Sequence, residues 1–381
     1  MPTVSAPTEH PPAAHRATVG VIGAGNALWA YLSAIDRLAA RGLARPGPIC
    51  ARSRSAWEPI LAKRPDAHLV GDASEVLESD ADVVVIITPP ESHAELASAA
   101  VRAGKHVVVE KPLAMEPSEA RRVVEEAQAT GRHLMVSPFV QLSPAFRALW
   151  TALRGDAIGH VHSARGLYGN PGSDWAPWYH TGGVGPLAEA GIYNLKSLTA
   201  LLGPVAAVQS AAITGIRPRE VAGSAIDDPD PDVMHVVLHH RSGALSSIVA
   251  SHAIWRYRRT GLELYGAEGT ANLLGDDWDP TGFEIWRVAS GRWEQYESAD
   301  PTWHWSDGLR ELVVALRDGT EPLVVLDHDL HVLDVIDACR TAAAGGDTVP
   351  VESGFPDLDL TLALDPAAAR RHDHTRAPDE Q

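Results

Sequence analysis

The stretch Val107-Val108-Val109-Glu110-Lys111-Pro112 decides the fold class of this chain. Its three valines indicate a strand that is buried on both faces, as in a parallel sheet. A charged pair directly after such a strand is costly unless it is used there, and the ligand crevice of an open α/β sheet lies at that edge. Lys111 is one of only four lysines among 32 lysine and arginine residues. Because an ammonium group shifts its pKa more readily than a guanidinium group, this lysine is predicted to be functional.

Strands and helices alternate on both sides of this stretch, which is typical of βαβ units and a parallel sheet. Apolar runs predict the strands, and helical periodicity that stops at glycine or proline predicts the helices. The predicted strands cover residues 18–22, 48–51, 83–87, 107–109 and 133–136, and the predicted helices cover residues 26–41, 92–103 and 117–130. We therefore expect a dinucleotide-type α/β domain over residues 17–138.

The pattern changes after residue 138. Apolar runs at 234–239 and 244–250, and again at 261–265 and 270–274, are joined by short glycine-containing turns and predict β-hairpins. Further helices are predicted over residues 144–154, 186–202, 307–317 and 327–344. Hairpins without intervening helices indicate an antiparallel sheet, so residues 139–366 are expected to form an α+β domain for substrate binding and oligomerisation. The ends, residues 1–16 and 367–381, lack an apolar pattern and are predicted to be disordered.

Composition excludes several classes of function. A net charge of −17 without any lysine or arginine cluster argues against a nucleic-acid-binding surface. The two cysteines, Cys50 and Cys339, offer neither a disulfide framework nor the spacing of a metal site. The sequence lacks an apolar run of about 18 residues, and its start lacks the apolar core of a secretory signal. The expected location is the cytoplasm, with no membrane and no metal as partner.

Gly23 and Gly25 follow the first predicted strand and open the first predicted helix. In a dinucleotide-binding fingerprint the first glycine permits a tight turn, and the second lets the backbone approach a pyrophosphate at the positive end of the helix. Leu28 stands at the third glycine position, so an ordinary βα turn is the alternative. The place of the motif in the first βα unit favours dinucleotide binding, with Asn26 and Ala27 as further contacts.

The second predicted strand runs into Arg52-Ser53-Arg54, without the acidic residue that holds the ribose 2′-hydroxyl of NAD. A guanidinium group binds phosphate oxygens in a bidentate manner, so these three residues favour the 2′-phosphate of NADP(H). NAD(H) stays possible, because the same residues could form a solvated basic turn.

The predicted helix over residues 186–202 carries a second candidate site. Glu189 and Tyr193 are four residues apart and share one helix face, and Lys196 lies three residues beyond Tyr193. A carboxylate and a phenol behind the glycine-rich stretch 182–185 suit the binding and protonation of a polyhydroxylated substrate. The alternative is an amphipathic surface helix with an exposed glutamate.

Together these motifs resemble the glucose–fructose oxidoreductase / inositol dehydrogenase (Gfo/Idh/MocA) family. The resemblance rests on Gly23-Ala24-Gly25-Asn26, Thr88-Pro89-Pro90 with His93, the run from Gly104 to Pro112, and the run from Gly182 to Tyr193. It implies a Rossmann domain, then an α+β domain with a large open, mainly antiparallel sheet. It also implies an enzyme that uses NAD(H) or NADP(H) on a hydroxyl or carbonyl carbon of a sugar or cyclitol. Because an open sheet usually needs covering, a homodimer or homotetramer is expected.

The same resemblance implies roles for single residues. Lys111 is expected near nicotinamide and substrate, with a cis bond before Pro112. Tyr193 corresponds to the acid/base of the family, and Glu189 to the acidic position four residues before it. Four further residues are expected at the cofactor, with a helix-start role as the alternative for the histidine: Thr88, Pro89, His93 and Glu110.

A mechanism follows from these roles, because hydride transfer at a C–OH carbon requires a proton transfer at the same oxygen. We expect Tyr193 to exchange that proton, Lys111 to polarise the oxygen and contact the nicotinamide ribose, and Glu189 to bind a neighbouring hydroxyl. A free tyrosine has a pKa near ~10, which a nearby ammonium group is expected to lower. Lys111 is the expected source of that charge, and Lys196 a weaker candidate.

Trp175, Trp178 and His180 precede Gly182, and the flat indole faces could stack on a pyranose ring. Core packing or a subunit contact is the alternative. Two other functions fit the same motifs: a sugar hydrolase or lyase that oxidises transiently and retains its dinucleotide, and a catalytically silent sugar sensor. A Rossmann protein with other chemistry is disfavoured by the two-domain match.

Overall fold

The computed structural model describes residues 16–257 and 261–362, so the ends predicted to be disordered lie outside the described residues, apart from Arg16. Two main sheets organise the described chain, one of six parallel strands and one of nine mostly antiparallel strands. This arrangement confirms the predicted fold class, a Rossmann fold followed by an α+β fold with a large antiparallel sheet.

The six strands of the parallel sheet are β1 (Ala17–Ile22), β2 (Ala44–Cys50), β3 (Leu69–Val70), β4 (Val83–Ile86), β5 (His106–Val109) and β6 (Leu134–Val136). Their order is β3-β2-β1-β4-β5-β6, as in a doubly wound fold. Every residue of β1, β4 and β6 is buried, because helices cover both faces. The strand order reverses between β1 and β4, which is where open α/β sheets bind their ligands.

The helices of this sheet are α1 (Leu28–Ala40), α2 (Arg54–Lys63), α3 (Ala73–Leu77), α4 (His93–Arg102) and α5 (Pro117–Thr130). The predicted bounds of α5 are confirmed, because Pro117 opens the first turn and Gly131 closes the helix in a left-handed conformation. Sequence patterns missed β3, α2 and α3. A strand of two residues has no readable period, and Pro59 interrupts the helical pattern of α2.

The remaining strands are β7 (Val161–Gly169), β8 (Val205–Ile213), β9 (Arg219–Val221), β10 (Ser224–Ile226), β11 (Val233–His240), β12 (Leu245–Ser251), β13 (Leu262–Gly266), β14 (Gly269–Asp276), β15 (Asp279–Arg287), β16 (Arg292–Glu297) and β17 (Val349–Pro350). Nine of them form the second sheet in the order β16-β15-β14-β13-β7-β12-β11-β8-β17, and β9 pairs with β10 separately. Both predicted hairpins, β11 with β12 and β13 with β14, are confirmed. The pair of β7 and β12 is parallel, which makes the sheet mixed.

The later helices are α6 (Pro144–Arg154), α7 (Ile192–Leu202), α8 (Gly308–Asp318) and α9 (Leu326–Gly345), and a π-helical turn (Leu187–Gly191) precedes α7. Helices α6, α7 and α9 pack on one face of the second sheet. The other face exposes apolar side chains, among them Ile213, Val237 and Leu245. Helix α8 packs back on the Rossmann fold, where Leu309 and Leu312 join the cluster around α1. Among the described helices, none is long and apolar enough to cross a membrane.

Candidate active site

A cleft of about 540 Å³ lies where the strand order reverses, and Gly23 lines it together with Thr88 and Pro89. Gly23 has a φ of +116°, and a Cβ atom there would lie 2.8 Å from the backbone of Ile87. Only glycine fits between the two strands at this turn. The turn continues through Gly25, Asn26 and Ala27 to the first residue of α1.

The amino end of α1 faces the turn without a side chain of its own to satisfy it. Ala27 is the N-cap, no side chain caps the helix, and the first turn holds no acidic residue. The positive end of the helix dipole suits a pyrophosphate. Leu28, at the third glycine position of the fingerprint, is buried in the core, and the helix begins there. These features fit a bound dinucleotide.

The far end of the cleft is lined by Arg52, Ser53 and Asp72. Ser53 is the N-cap of α2, and its hydroxyl accepts a hydrogen bond from the Ser55 N–H. The Arg54 guanidinium lies 5.0 Å from the centre of the Trp57 ring. Asp72, which follows β3, was missed by the sequence reasoning because it lies one strand away from the arginines. This end of the cleft therefore carries both a cation and an acid.

His93 is buried behind this cleft and does not line it. Its Nδ1 lies 2.7 Å from the Pro112 carbonyl oxygen, and its Nε2 lies 2.8 Å from the Thr88 carbonyl oxygen. Burial lowers the pKa of the His93 imidazole. The ring thus ties the loop after β4 to the loop after β5, and it supports the predicted cofactor contact at Thr88 from behind.

Glu110 anchors the loop after β5. Its carboxylate accepts hydrogen bonds from the Tyr31 hydroxyl at 2.7 Å and from the Ser137 hydroxyl at 2.8 Å. The Ser137 hydroxyl oxygen also accepts a hydrogen bond from the Lys111 backbone N–H at 2.9 Å. The bond between Lys111 and Pro112 is cis, as the resemblance implies. The loop after β5 is therefore fixed through the Glu110 side chain and through the backbone of Lys111.

The Lys111 side chain reaches across to the second sheet. Its Nζ lies 2.9 Å from Glu189 Oε1 and also donates to the Glu189 carbonyl oxygen. The same Nζ lies 5.4 Å from the centre of the Tyr193 ring. Three residues predicted from two separate motifs are thus brought together between the two folds.

Glu189 lies in the π-helical turn. The sequence pattern had predicted a regular α-helix at this position. The predicted helix over residues 186–202 is confirmed as one helical segment, in which a π turn stands in place of the first α-helical turn. A Cβ atom on Gly191 would lie 2.8 Å from the Ala250 side chain, so the turn packs tightly on β12. Single π turns inside helices occur mostly at functional sites.

Two residues that the sequence reasoning missed complete the surroundings of Glu189. The Tyr179 hydroxyl donates to Oε1 at 2.6 Å, and His252 Nε2 lies 3.3 Å from Oε2. Burial alone would raise the pKa of Glu189, but the Lys111 ammonium and the His252 and Tyr179 contacts hold that pKa well below its usual range. Burial opposes the charge on Lys111 too, yet Glu189 raises the Lys111 pKa above its usual value. The pair is charged over the neutral pH range.

Tyr193 stacks on Tyr168, with 5.6 Å between ring centres. Within the described part of the chain, its hydroxyl has no hydrogen-bond partner. Burial, together with the charges of Glu110 and Glu189, raises the Tyr193 pKa well above its usual value. The prediction that an ammonium group lowers this pKa is therefore wrong. The Lys111 charge is matched by Glu189, and a second carboxylate is nearby.

The other sequence candidates lie around this centre or away from it. Trp178 packs on Tyr179 with ring centres 4.4 Å apart, whereas Trp175 is 52% exposed. His180 is buried, and its Nε2 lies 2.8 Å from the Ser173 carbonyl oxygen. Lys196 is buried in an ion pair with Asp329 and donates to the Val136 carbonyl oxygen at 3.2 Å. Its ammonium group therefore does not serve Tyr193.

The model of the Gfo/Idh/MocA oxidoreductase family, NAD-binding Rossmann fold, matches residues 17–137. The model of the Gfo/Idh/MocA C-terminal domain matches residues 146–272. The chain belongs to the Gfo/Idh/MocA family.

Several similar proteins are named as sugar dehydrogenases or reductases. The chain is 28% identical over 326 residues to D-apiose dehydrogenase of Paraburkholderia graminis, covering 80% of this chain and 82% of that protein. It is 28% identical over 295 residues to 1,5-anhydro-D-fructose reductase of Ensifer adhaerens, covering 76% and 83%. A solved levoglucosan dehydrogenase, in complex with NADH and levoglucosan, superposes with a TM-score of 0.76 at 20% identity, covering 89% of this chain and 100% of that chain. The superposition supports the shared fold.

Proposed function

We propose that this protein is an NAD(P)-dependent dehydrogenase or reductase that acts on a hydroxyl or carbonyl carbon of a sugar or cyclitol. The observation that carries the proposal is the meeting of Lys111 with Glu189 and Tyr193. The lysine comes from the carboxyl edge of the Rossmann sheet, and its Nζ lies 2.9 Å from Glu189 Oε1 and 5.4 Å from the Tyr193 ring centre. Hydride chemistry at a carbinol carbon needs this combination of a dinucleotide cleft, a cation and an exchangeable proton.

Each of the three side chains has a separate task. When bound, the dinucleotide supplies or accepts the hydride. Lys111 stays an ammonium group and donates a hydrogen bond to the reacting oxygen of the substrate. Tyr193, whose hydroxyl has no partner within the described residues, exchanges the proton at that oxygen. Glu189 accepts bonds from Lys111, Tyr179 and His252, and a carboxylate with about four lone-pair sites can accept one more from a substrate hydroxyl.

The protonation states favour carbonyl reduction near neutral pH. The raised pKa values of Tyr193 and Lys111 keep both groups protonated, so Tyr193 holds the proton that reduction consumes, while the same shift makes its phenol a weaker acid. Oxidation of the alcohol needs the opposite transfer, so it is expected to quicken as the pH rises.

NADP(H) is the proposed preferred cofactor. Arg52 and Ser53 line the end of the cleft where the adenosine ribose would lie, and they suit a 2′-phosphate. Asp72 lines the same end and suits a free 2′-hydroxyl, so NAD(H) is expected to bind as well, with lower affinity. The contacts proposed along the rest of the dinucleotide are Gly23, Gly25, Asn26, Ala27, Thr88 and Pro89.

A sugar or cyclitol is the proposed substrate, and three of the similar proteins are named for D-apiose, 1,5-anhydro-D-fructose and levoglucosan. Trp178 and Tyr179 form an aromatic wall beside Glu189, which suits the apolar face of a sugar ring. Trp175 is proposed at its outer edge. We place the boundary between the cofactor and substrate domains at residue 138, and we expect a homodimer or homotetramer that covers the exposed apolar sheet face.

The test is a screen of pyranoses, furanoses and inositols with NADP⁺ and NAD⁺, and of the matching ketoses and lactones with NADPH and NADH. The proposal predicts a substrate-dependent change in absorbance of the nicotinamide. Product release without a net change would point instead to a redox-assisted hydrolase or lyase. Binding of a sugar without either outcome would point to a sensor.

A further inference from the structure

Residues 215–232, here called the brace segment, contact both loops that supply the missed residues Tyr179 and His252. We propose that Arg219 in this segment is a positioning residue for those two side chains. The inference rests on the proposed function for its activity readout. Arg219 touches neither Lys111, Glu189 nor the nucleotide cleft, and it acts through backbone contacts.

The Arg219 guanidinium joins three separate parts of the chain. Its Nη1 donates to the Pro171 carbonyl oxygen at 2.8 Å, at the start of the loop that carries Tyr179. Its Nη2 donates to the His252 carbonyl oxygen and lies 2.7 Å from Asp232 Oδ2. The planar fork of an arginine can bind in several fixed directions at once, which a lysine ammonium on a flexible stem cannot reproduce.

Burial makes this arrangement specific. The Arg219 and Asp232 side chains are 8% and 2% exposed, and Asp232 also accepts hydrogen bonds from the backbone N–H groups of Gly215 and Ile216. A buried charge must be paired and hydrogen-bonded, so neither partner can move without a large cost. Gly172 gives the guanidinium room, because a Cβ atom there would lie 3.2 Å from Arg219 Nη1.

Backbone contacts from the brace segment hold the same two loops at further points. The Asp232 carbonyl oxygen accepts the His252 N–H at 2.7 Å, and the His180 carbonyl oxygen accepts the Asp230 N–H at 2.8 Å. The Ala222 N–H donates to the Asp174 carbonyl oxygen at 2.7 Å. The loop from residue 170 to 183 is therefore fixed on both sides of Tyr179.

The consequence concerns the substrate side of the site alone. Tyr179 and His252 reach Glu189 over 2.6 Å and 3.3 Å, and these lengths depend on where their backbones lie. A displacement of about 1 Å in a positioning group can lower a rate by about 10²-fold. Loss of Arg219 is expected to lower kcat/KM by about that factor, with a rise in KM and a fall in kcat. Cofactor affinity should not change, because the nucleotide cleft belongs to the other sheet.

The experiment compares Arg219→Gln with Arg219→Lys and with Arg217→Gln, all in the full chain. Arg217 is a matched control, because it lies two residues away with its side chain 56% exposed and paired to Asp228 at the surface. Steady-state kinetics are measured with the best sugar from the screen, and dissociation constants with NADPH and NADH. Hydrogen–deuterium exchange is followed in peptides covering residues 170–183 and 250–254.

Arg219→Gln should lose about 10²-fold in kcat/KM, keep its cofactor affinity and exchange faster in both peptides, while Arg217→Gln matches the wild type. The kcat/KM of Arg219→Lys should lie between those of the two other variants, because lysine keeps the charge but lacks the planar guanidinium group. A kcat/KM within twofold of wild type, or a parallel loss of cofactor affinity, would overturn the proposal.

Two further outcomes are possible: the Arg219→Gln variant does not fold, or the wild type turns over no sugar. If Arg219→Gln does not fold, the double variant with Asp232→Asn replaces it, because it leaves no unpaired buried charge. Failure of both to fold assigns the pair to global stability and overturns the positioning role. If the wild type turns over no sugar, the proposed function fails by itself. Faster exchange confined to the two peptides still supports the brace, and unchanged exchange rejects it.

Discussion

Lys111 Nζ lies 2.9 Å from Glu189 Oε1, although Lys111 follows a strand of the parallel sheet and Glu189 lies in a π-helical turn that packs on the second sheet. Each side chain is only 11% exposed. A buried ion pair contributes little net stability on average, because desolvation offsets most of the attraction. We infer that the pair is kept for its position, since it fixes an ammonium group 5.4 Å from the centre of the Tyr193 ring. The predictions below follow from that arrangement.

Replacing Tyr193 by Phe removes the proton donor without disturbing the stack on Tyr168. We expect kcat to fall by about 10²–10⁴-fold, the usual contribution of a positioned acid or base. The Tyr265→Phe variant is the control, because the Tyr265 hydroxyl bonds Glu263 on another part of the sheet. Steady-state kinetics on both variants decide the matter, and equal turnover in the two would exclude Tyr193 from the chemistry.

Replacing Glu189 by Gln should change the pH dependence of reduction. Burial lowers the Lys111 pKa and Glu189 raises it, so removal of Glu189 lowers that pKa relative to the wild type, although Tyr179 and Glu110 still raise it. The required ammonium group is then lost at lower pH, and kcat/KM should fall on the alkaline side where the wild type stays active. The measurement is the pH–rate profile between about pH 6 and pH 10. Superimposable profiles for the two proteins would contradict the assignment.

Replacing Arg52 by Gln should weaken NADPH binding and leave NADH binding nearly unchanged. A charge-assisted hydrogen bond to phosphate is worth about 1.5–3 kcal/mol, which corresponds to roughly tenfold to a hundredfold in Kd. Arg54→Gln should have a smaller effect, because that guanidinium stacks on Trp57. Titration by cofactor fluorescence gives both constants. If the wild type binds NADH more tightly than NADPH, the role proposed for Arg52 is wrong, and Asp72 binds the ribose 2′-hydroxyl instead.

Acid should destabilise the protein through His331. This imidazole is buried, its Nε2 accepts the Val205 N–H at 2.9 Å, and burial lowers the pKa of His331 to about 4. In the unfolded chain the pKa is about 6.5, so the unfolded state binds more protons between the two values and stability falls as the pH drops. The expected loss is about 3 kcal/mol between pH 7 and pH 4.

The check on His331 is denaturant unfolding of wild type and His331→Gln at several pH values. The variant should be less stable at neutral pH and lose less on acidification. Equal slopes of unfolding free energy against pH would show that His331 does not titrate during unfolding.

Local sequence patterns were sufficient for the parts of the site that lie within single motifs. Gly23 and Lys111 follow buried strands, and Glu189 and Tyr193 share one short segment, so spacing made them candidates, while the roles of Lys111, Glu189 and Tyr193 came from the resemblance. That Lys111 and Glu189 lie near each other was expected from the resemblance to a family and not from the spacing of residues in the sequence. The predicted contact of His93 with the cofactor has become an indirect one, because both ring nitrogens face backbone carbonyls.

Other features depended on tertiary contacts that no local pattern records. Tyr179 and His252 lie 73 residues apart and meet only at Glu189. The raised Tyr193 pKa could not be predicted, because it reflects burial and two carboxylates from separate elements. Lys196 shares the helix of Tyr193, yet its ammonium group pairs with Asp329 from α9.

The most direct measurement of the central claim is turnover of the Lys111→Met variant beside its cofactor affinity, with Lys105→Met as the control. Lys105 lies six residues earlier and donates to the Ser79 carbonyl oxygen outside the site. We predict that Lys111→Met loses turnover by at least about 10²-fold, because the ammonium acts on the reacting oxygen, and that loss of its expected contact with the nicotinamide ribose raises the cofactor Kd by a much smaller factor. Turnover equal to that of Lys105→Met would contradict the account.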